Sequence, residues 1–108
     1  MTVKELSQKY GFEAASMPSP DREVSGGYIG DLLSWVMGRA KEDCAWITIM
    51  TNINIAAVGA LADVAVVIVA EGAKPDESVL STAEEKGVNI VLSEKTAFEI
   101  AVEIAKDI

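Results

Sequence analysis

A chain of 108 residues carries 17 acidic and 9 basic side chains, a net charge of −8, and no histidine. Such a surface repels nucleic-acid phosphates and anionic lipid, and without an imidazole there is no histidine-based triad, ordinary zinc site or imidazole acid–base catalyst. Half of the residues are apolar, an excess that favours a partner interface unless two buried sheet faces absorb it.

The length suits one domain, residues 1–108, in which an N-terminal helix and turn segment (1–22) leads into a core (23–108). Thr2 is placed to cap a short helix to Tyr10, which Gly11 ends. Phe12 to Ala15 reads as a brief strand, and Pro18 to Asp21 as a turn with two prolines. The first ten residues, MTVKELSQKY, lack the apolar stretch of a signal peptide, and no apolar run approaches the ~18 residues of a membrane span. Cys44 is the single cysteine, so no internal disulfide forms. The expected setting is therefore a reducing one, the cytoplasm.

Ser25 to Asp31, SGGYIGD, reads as a glycine turn. Gly26 and Gly27 allow backbone angles closed to other residues, and Tyr28 and Trp35 set large amphipathic rings nearby. These residues, with Asp31, are candidate turn or interface positions. From Asp31 to Ala40 the apolar residues Leu32, Leu33, Val36, Met37 and Ala40 form a stripe expected to face the core, with Asp31 capping the helix. Three apolar runs follow about 20 residues apart: Ala45 to Met50, Val64 to Ala70 and Val88 to Leu92. They have the pattern of strands buried on both faces. Between them lie a small-residue helix that includes Gly59 and a helix over Asp76 to Lys86 that Gly87 terminates. Thr96 and Glu99 make a capping box for a final helix. The fold class is α/β: a compact, mainly parallel sheet with a βαβαβα second half and flanking helices, its crossovers right-handed.

No G-x-x-x-x-G-K-[ST] phosphate loop occurs, and Gly26, Gly27 and Gly30 lack the spacing of a dinucleotide fingerprint. The acid pairs Glu84/Glu85 and Glu99/Glu103 have the placement of solvated helix faces. The reading therefore expects no catalytic residues, no metal and no cofactor. The candidate ligand site is Thr51 to Asn54, TNIN, which follows a strand and opens a helix. Thr48, Thr51, Asn52 and Asn54 offer hydrogen bonds there, and free N–H groups attract anions. The competing structural reading has Thr51 or Asn52 simply capping the helix.

The succession GGYIGDLLSWVM, WITIMTNINIAAVGAL and VVIVAEGAKPDESVLSTAEEKGVNIVLSEKTAFEIA resembles stand-alone DRTGG-domain proteins over roughly Val24 to Ala105. Such domains also occur within some inorganic pyrophosphatases and phosphotransacetylases. The resemblance implies a regulatory or dimer-forming module, with an enzyme as a partner. The name-giving Asp-Arg-Thr-Gly-Gly string is absent; Met50 to Asn54 occupies the corresponding junction, without its acid or its arginine.

The expectation is therefore a non-catalytic regulatory module, a homodimer, that senses a small anionic or nucleotide-like ligand at a strand-to-helix junction. The alternatives are a small enzyme acting on a phosphorylated or carboxylated metabolite, with Asp31 or Asp63 as general base, and a ligand-free structural dimer.

Overall fold

The computed structural model describes residues 1–108. Helix α1 (Val3–Tyr10) starts at the reciprocal Thr2/Glu5 capping box and stops at Gly11, which is left-handed at φ 70°. Strand β1 (Glu13–Ser16) follows, then β2 (Gly27–Ile29) and α2 (Leu33–Arg39). The regular part comprises β3 (Ala45–Thr48), α3 (Asn54–Ala62), β4 (Val66–Val69), α4 (Glu77–Lys86), β5 (Ile90–Leu92) and α5 (Ala97–Ile104). A last 3₁₀ turn covers Ala105–Asp107.

The sheet order is β1-β5-β4-β3-β2. Strands β2 to β5 are parallel neighbours in chain order, and β1 joins β5 antiparallel at the far edge. Every residue of β3, β4 and β5 is buried, as both-face burial of an apolar run requires. Alternate side chains divide the core in two. Trp46, Val67, Val69 and Ile90 point toward α2, α3 and α4; Ala45, Ile47, Ile68 and Val91 point toward α1 and α5. The architecture is α/β in three layers, three helices on one face and two on the other.

The N-terminal segment is part of this core. Val3 and Leu6 are fully buried, and the first N–H groups of α1 find acceptors in Pro20 (3.0 Å) and Arg22 (2.9 Å). On the other face, Gly59 lets α3 approach the sheet: a Cβ there would lie 3.1 Å from Val88 and 3.3 Å from Val67.

Three expectations need correction. SGGYIGD is a turn only at Gly26, left-handed at φ 77°; Gly27, Tyr28 and Ile29 are a strand, the parallel edge of the sheet. Three residues with two glycines nearby give no period-2 signal, so the strand is specified by β3 rather than by its own pattern. Asp31 does not cap α2, whose N-cap is Leu32 with no side-chain bond; its carboxylate is held by β3 instead. The stripe on α2 faces the core through buried Val36, with partly buried Leu33 and Ala40 packed against the same cluster, while Leu32 (59%) and Met37 (52%) remain exposed. A seven-residue helix at the sheet margin has too little neighbouring structure to cover so wide an apolar arc.

Candidate functional site

The two ends of the parallel strands are built differently. At the amino end, Arg22 ties two loops together. Its guanidinium bonds Asp43 Oδ1 through Nε (3.1 Å) and Nη2 (2.9 Å), and Nη1 reaches Asp63 Oδ1 at 2.9 Å. Burial opposes the charged guanidinium, yet the hydrogen bonds to both acids outweigh it and raise its pKa. Asp43 and Asp63 sit at φ 68° and 56°, left-handed conformations that cost a non-glycine residue stability unless its surroundings hold it. Nearby, the buried Asn89 side chain donates to Ser19 O (2.8 Å) and Ala65 O (2.9 Å) and accepts from Ser19 N (2.9 Å).

At the carboxyl end the loops after β2, β3 and β4 lead to helices on one face, whereas the loop after β5 leads to α5 on the other. Adjacent strands whose connections part to opposite faces leave a crevice, the usual ligand position in open α/β sheets. Here it is a cleft of about 710 Å³ between Gly72–Lys74 after β4 and Ser93–Lys95 after β5, lined also by Tyr10, Gly11 and Glu13. Its floor is zipped by Glu71 N–H to Lys95 O (2.9 Å) and Gly72 N–H to Ser93 O (3.0 Å). Glu71 and Gly72 are both left-handed, the geometry of a type I′ turn.

Two lysines and three glutamates line this cleft. Lys95 is occupied by Glu103 at 2.7 Å, and Lys74 pairs with no carboxylate. Glu99 is engaged in the α5 capping box, and the backbone N–H of Thr96, followed by its hydroxyl, lowers the Glu99 pKa. Tyr10 donates its hydroxyl to Asp107, which also receives Lys9 at 2.9 Å. The bond to Asp107 raises the tyrosine pKa, and the Tyr10 and Lys9 hydrogen bonds lower that of Asp107.

The sequence-derived residues lie one strand further along. Thr48 is buried and its hydroxyl is fully used: it donates to Asp31 Oδ1 (2.7 Å) and accepts from Met50 N–H (3.2 Å). Asp31 Oδ1 also accepts from Ile49 N–H (3.0 Å). Asn52 accepts from Asn54 N–H (2.9 Å), so it turns the chain into α3, whose N-cap Ile53 makes no side-chain bond. Thr51 is half-buried and Asn54 exposed, with side chains free of intramolecular hydrogen bonds. None of the four main cavities is lined by these four residues.

Of the glycine-segment residues, Tyr28 packs its ring over Gly30, where a Cβ would meet it at 2.9 Å. The Trp35 ring is half exposed and lies under the Arg39 guanidinium, 3.8 Å from its centroid. Trp46 donates its indole N–H to Gly30 O at 2.9 Å.

Sequence reasoning missed the β4/β5 cleft. Its one local signal is the turn-rich AEGAKPD after an apolar strand, but the cleft arises because β4 and β5 send their helices to opposite faces. No helix is long and apolar enough to cross a membrane.

No protein-family model matches this sequence, and no curated protein sequence matches it. Among solved structures, the fold is similar to the CBS and DRTGG domains of the regulatory region of Clostridium perfringens pyrophosphatase, a structure complexed with the activator diadenosine tetraphosphate. The TM-score is 0.74 at 13% identity, covering 94% of this chain and 44% of that one. The chain thus spans less than half of that region's length. The likeness is one of fold, and it supports a DRTGG-like architecture.

Proposed function

We propose that this chain is a regulatory module that senses a small molecule and works as a homodimer, rather than an enzyme. The observation that carries the reading is the shared fold with a regulatory region crystallised with its activator. A second observation disfavours catalysis by the two acids first considered. Asp31 is held by Thr48 and Ile49, and Asp63 by Arg22, so both carboxylates serve the fold.

The β4/β5 cleft is the ligand seat that the geometry supports best. Its volume lies within the usual range of small-molecule sites, about 300–1,000 Å³. Three glutamates against two lysines repel a polyphosphate, so a nucleoside-like or zwitterionic molecule suits it better than a multiply charged anion. The free side chains of Thr51 and Asn54 are the second candidate position. Binding would favour one arrangement of the pair, read out by a partner enzyme.

The test is a thermal-shift screen with nucleosides, nucleotides and amino acids. A ligand at 100 times its Kd stabilises by about 2.7 kcal/mol, and the shift should vanish in Lys74→Ala and persist in Asn54→Ala. The reverse pattern moves the site to the β3–α3 loop. No shift with any compound sinks the sensing role.

A further inference from the structure

The edge strand β2 is open. Ala45 N–H bonds Gly26 O (2.9 Å) and Gly30 N–H bonds Ile47 O (3.2 Å), so Gly26, Tyr28 and Gly30 turn their backbone polar groups toward β3. By the alternation of a ladder, Gly27 and Ile29 turn theirs outward. Natural edges are guarded by shortness, lysine, proline, bulges or a covering element, and β2, three residues long, has only the first of these in its strand. GYI has no charge and no proline, and Ile29 is 50% exposed. The opposite edge is treated otherwise: β1 carries a register shift between Ala14 and Ser16 and an exposed Glu13.

Beside the open edge runs an apolar groove of about 300 Å³ between β2 and α5, whose walls include Ile29, Ile47, Ala101 and Ile108, with no charged side chain among them. The outer face of α5 continues it. Phe98 (76%) and Val102 (62%), one helical turn apart, are among the most exposed large apolar residues of the chain. Ile100 and Ile104 bury the inner face of the same helix, so its apolar arc is wider than its own core requires.

We propose that two copies of this chain pair through this face, β2 against β2 in antiparallel register across a two-fold axis, with the outer faces of α5 packing beside the joined edges. The proposal rests on the pairing put forward above and names its surface. A second copy is the occupant that fits for three reasons. A strand that meets itself antiparallel is self-complementary, which a two-fold contact demands. Protruding side chains, Phe98 and Val102, and a groove that can receive them occur on one face. Two molecules each of charge −8 repel, and the groove is a surface where they can meet without juxtaposed acids. The exposed parts of Ile29, Phe98 and Val102 with the groove walls amount to roughly 400 Å², about half of the ~800 Å² per partner of a stable interface. The β2 backbone, the exposed Leu32 of the β2–α2 connection and the exposed Trp35 of α2 extend it.

Sedimentation velocity at micromolar concentration tests this on the unmodified chain and on Ile29→Lys, Phe98→Glu and Leu61→Glu. Leu61 is 75% exposed on α3, away from the edge. The expected result is a wild-type particle of twice the 11.4 kDa chain mass, at least tenfold weaker association in the first two variants, and no change in the third. A wild-type monomer overturns both the pairing and its surface. A dimer untouched by Ile29→Lys and Phe98→Glu overturns the surface and leaves the pairing standing. Hydrogen exchange on the wild-type chain needs no variant to fold. Slowing of the Gly27 and Ile29 amides as concentration rises supports the joined edge, and fast exchange at every concentration refutes it.

Discussion

The amino and carboxyl ends of the parallel strands differ in what their polar groups do. At the amino end, Arg22 and Asn89 spend their hydrogen bonds on Asp43, Asp63, Ser19 and Ala65, closing loops onto one another. At the carboxyl end the loops after β4 and β5 are joined by two backbone bonds at the floor of an open cleft, and Lys74 is left without a carboxylate partner. The amino end thus spends its polar groups on the fold, while the carboxyl end leaves some of its own in solvent, as surface loops commonly do.

Breaking the amino end should therefore hurt most. Asn89→Leu strands the buried Ala65 carbonyl and removes both bonds to Ser19; the expected loss is about 3 kcal/mol, seen as a fall in Tm of more than about 10 °C by calorimetry. Gly59→Val forces a Cβ into Val88 and Val67 and should cost about 2 kcal/mol by urea titration. Arg22→Ala leaves Asp43 and Asp63 unpaired in left-handed turns. Because both acids are about half exposed, the expected cost is smaller, about 1 kcal/mol. Lys74→Ala, at the carboxyl end, should change stability by less than about 0.5 kcal/mol. A loss there as large as that of Asn89→Leu would erase the distinction between the two ends.

Acid sharpens the same comparison. The pKa of Glu5 and of Glu99 is lowered first by a backbone N–H, from Thr2 and Thr96, and that of Asp107 by the Tyr10 hydroxyl. Each group binds its proton more readily in the unfolded chain. Their stabilisation is therefore present above about pH 4, the unfolded range, and is lost as pH falls through the folded values. Urea midpoints measured between pH 6 and 3 should fall, and Glu99→Gln should flatten part of that slope.

The helices with paired end signals were legible in the sequence: Thr2 and Thr96 cap through reciprocal glutamate bonds, and Gly11 and Gly87 end their helices left-handed. Apolar runs marked β3, β4 and β5. Other features depend on residues distant in sequence. Strand β2 exists because β3 pairs with it, and Asp31 leaves its expected cap because Thr48 and Ile49 offer two donors. At the β3–α3 junction the polar residue types are plain in the sequence, but Thr48 and Asn52 direct that polarity into the fold. The cleft between β4 and β5 follows from the side on which α5 lands, a property of the whole sheet.

The antiparallel pairing of β1 with β5 joins Glu13 to Leu92, and that span bears on how the protein is made. During synthesis the first strand emerges long before its partner, whereas β2 to β5 can add in order, each beside its predecessor. The β1 edge must wait unpaired until β5 is in place, whereas α1 has local partners in Pro20 and Arg22. Closure of such a long loop is slow, so docking of β1 onto β5 is expected to be a late step of folding.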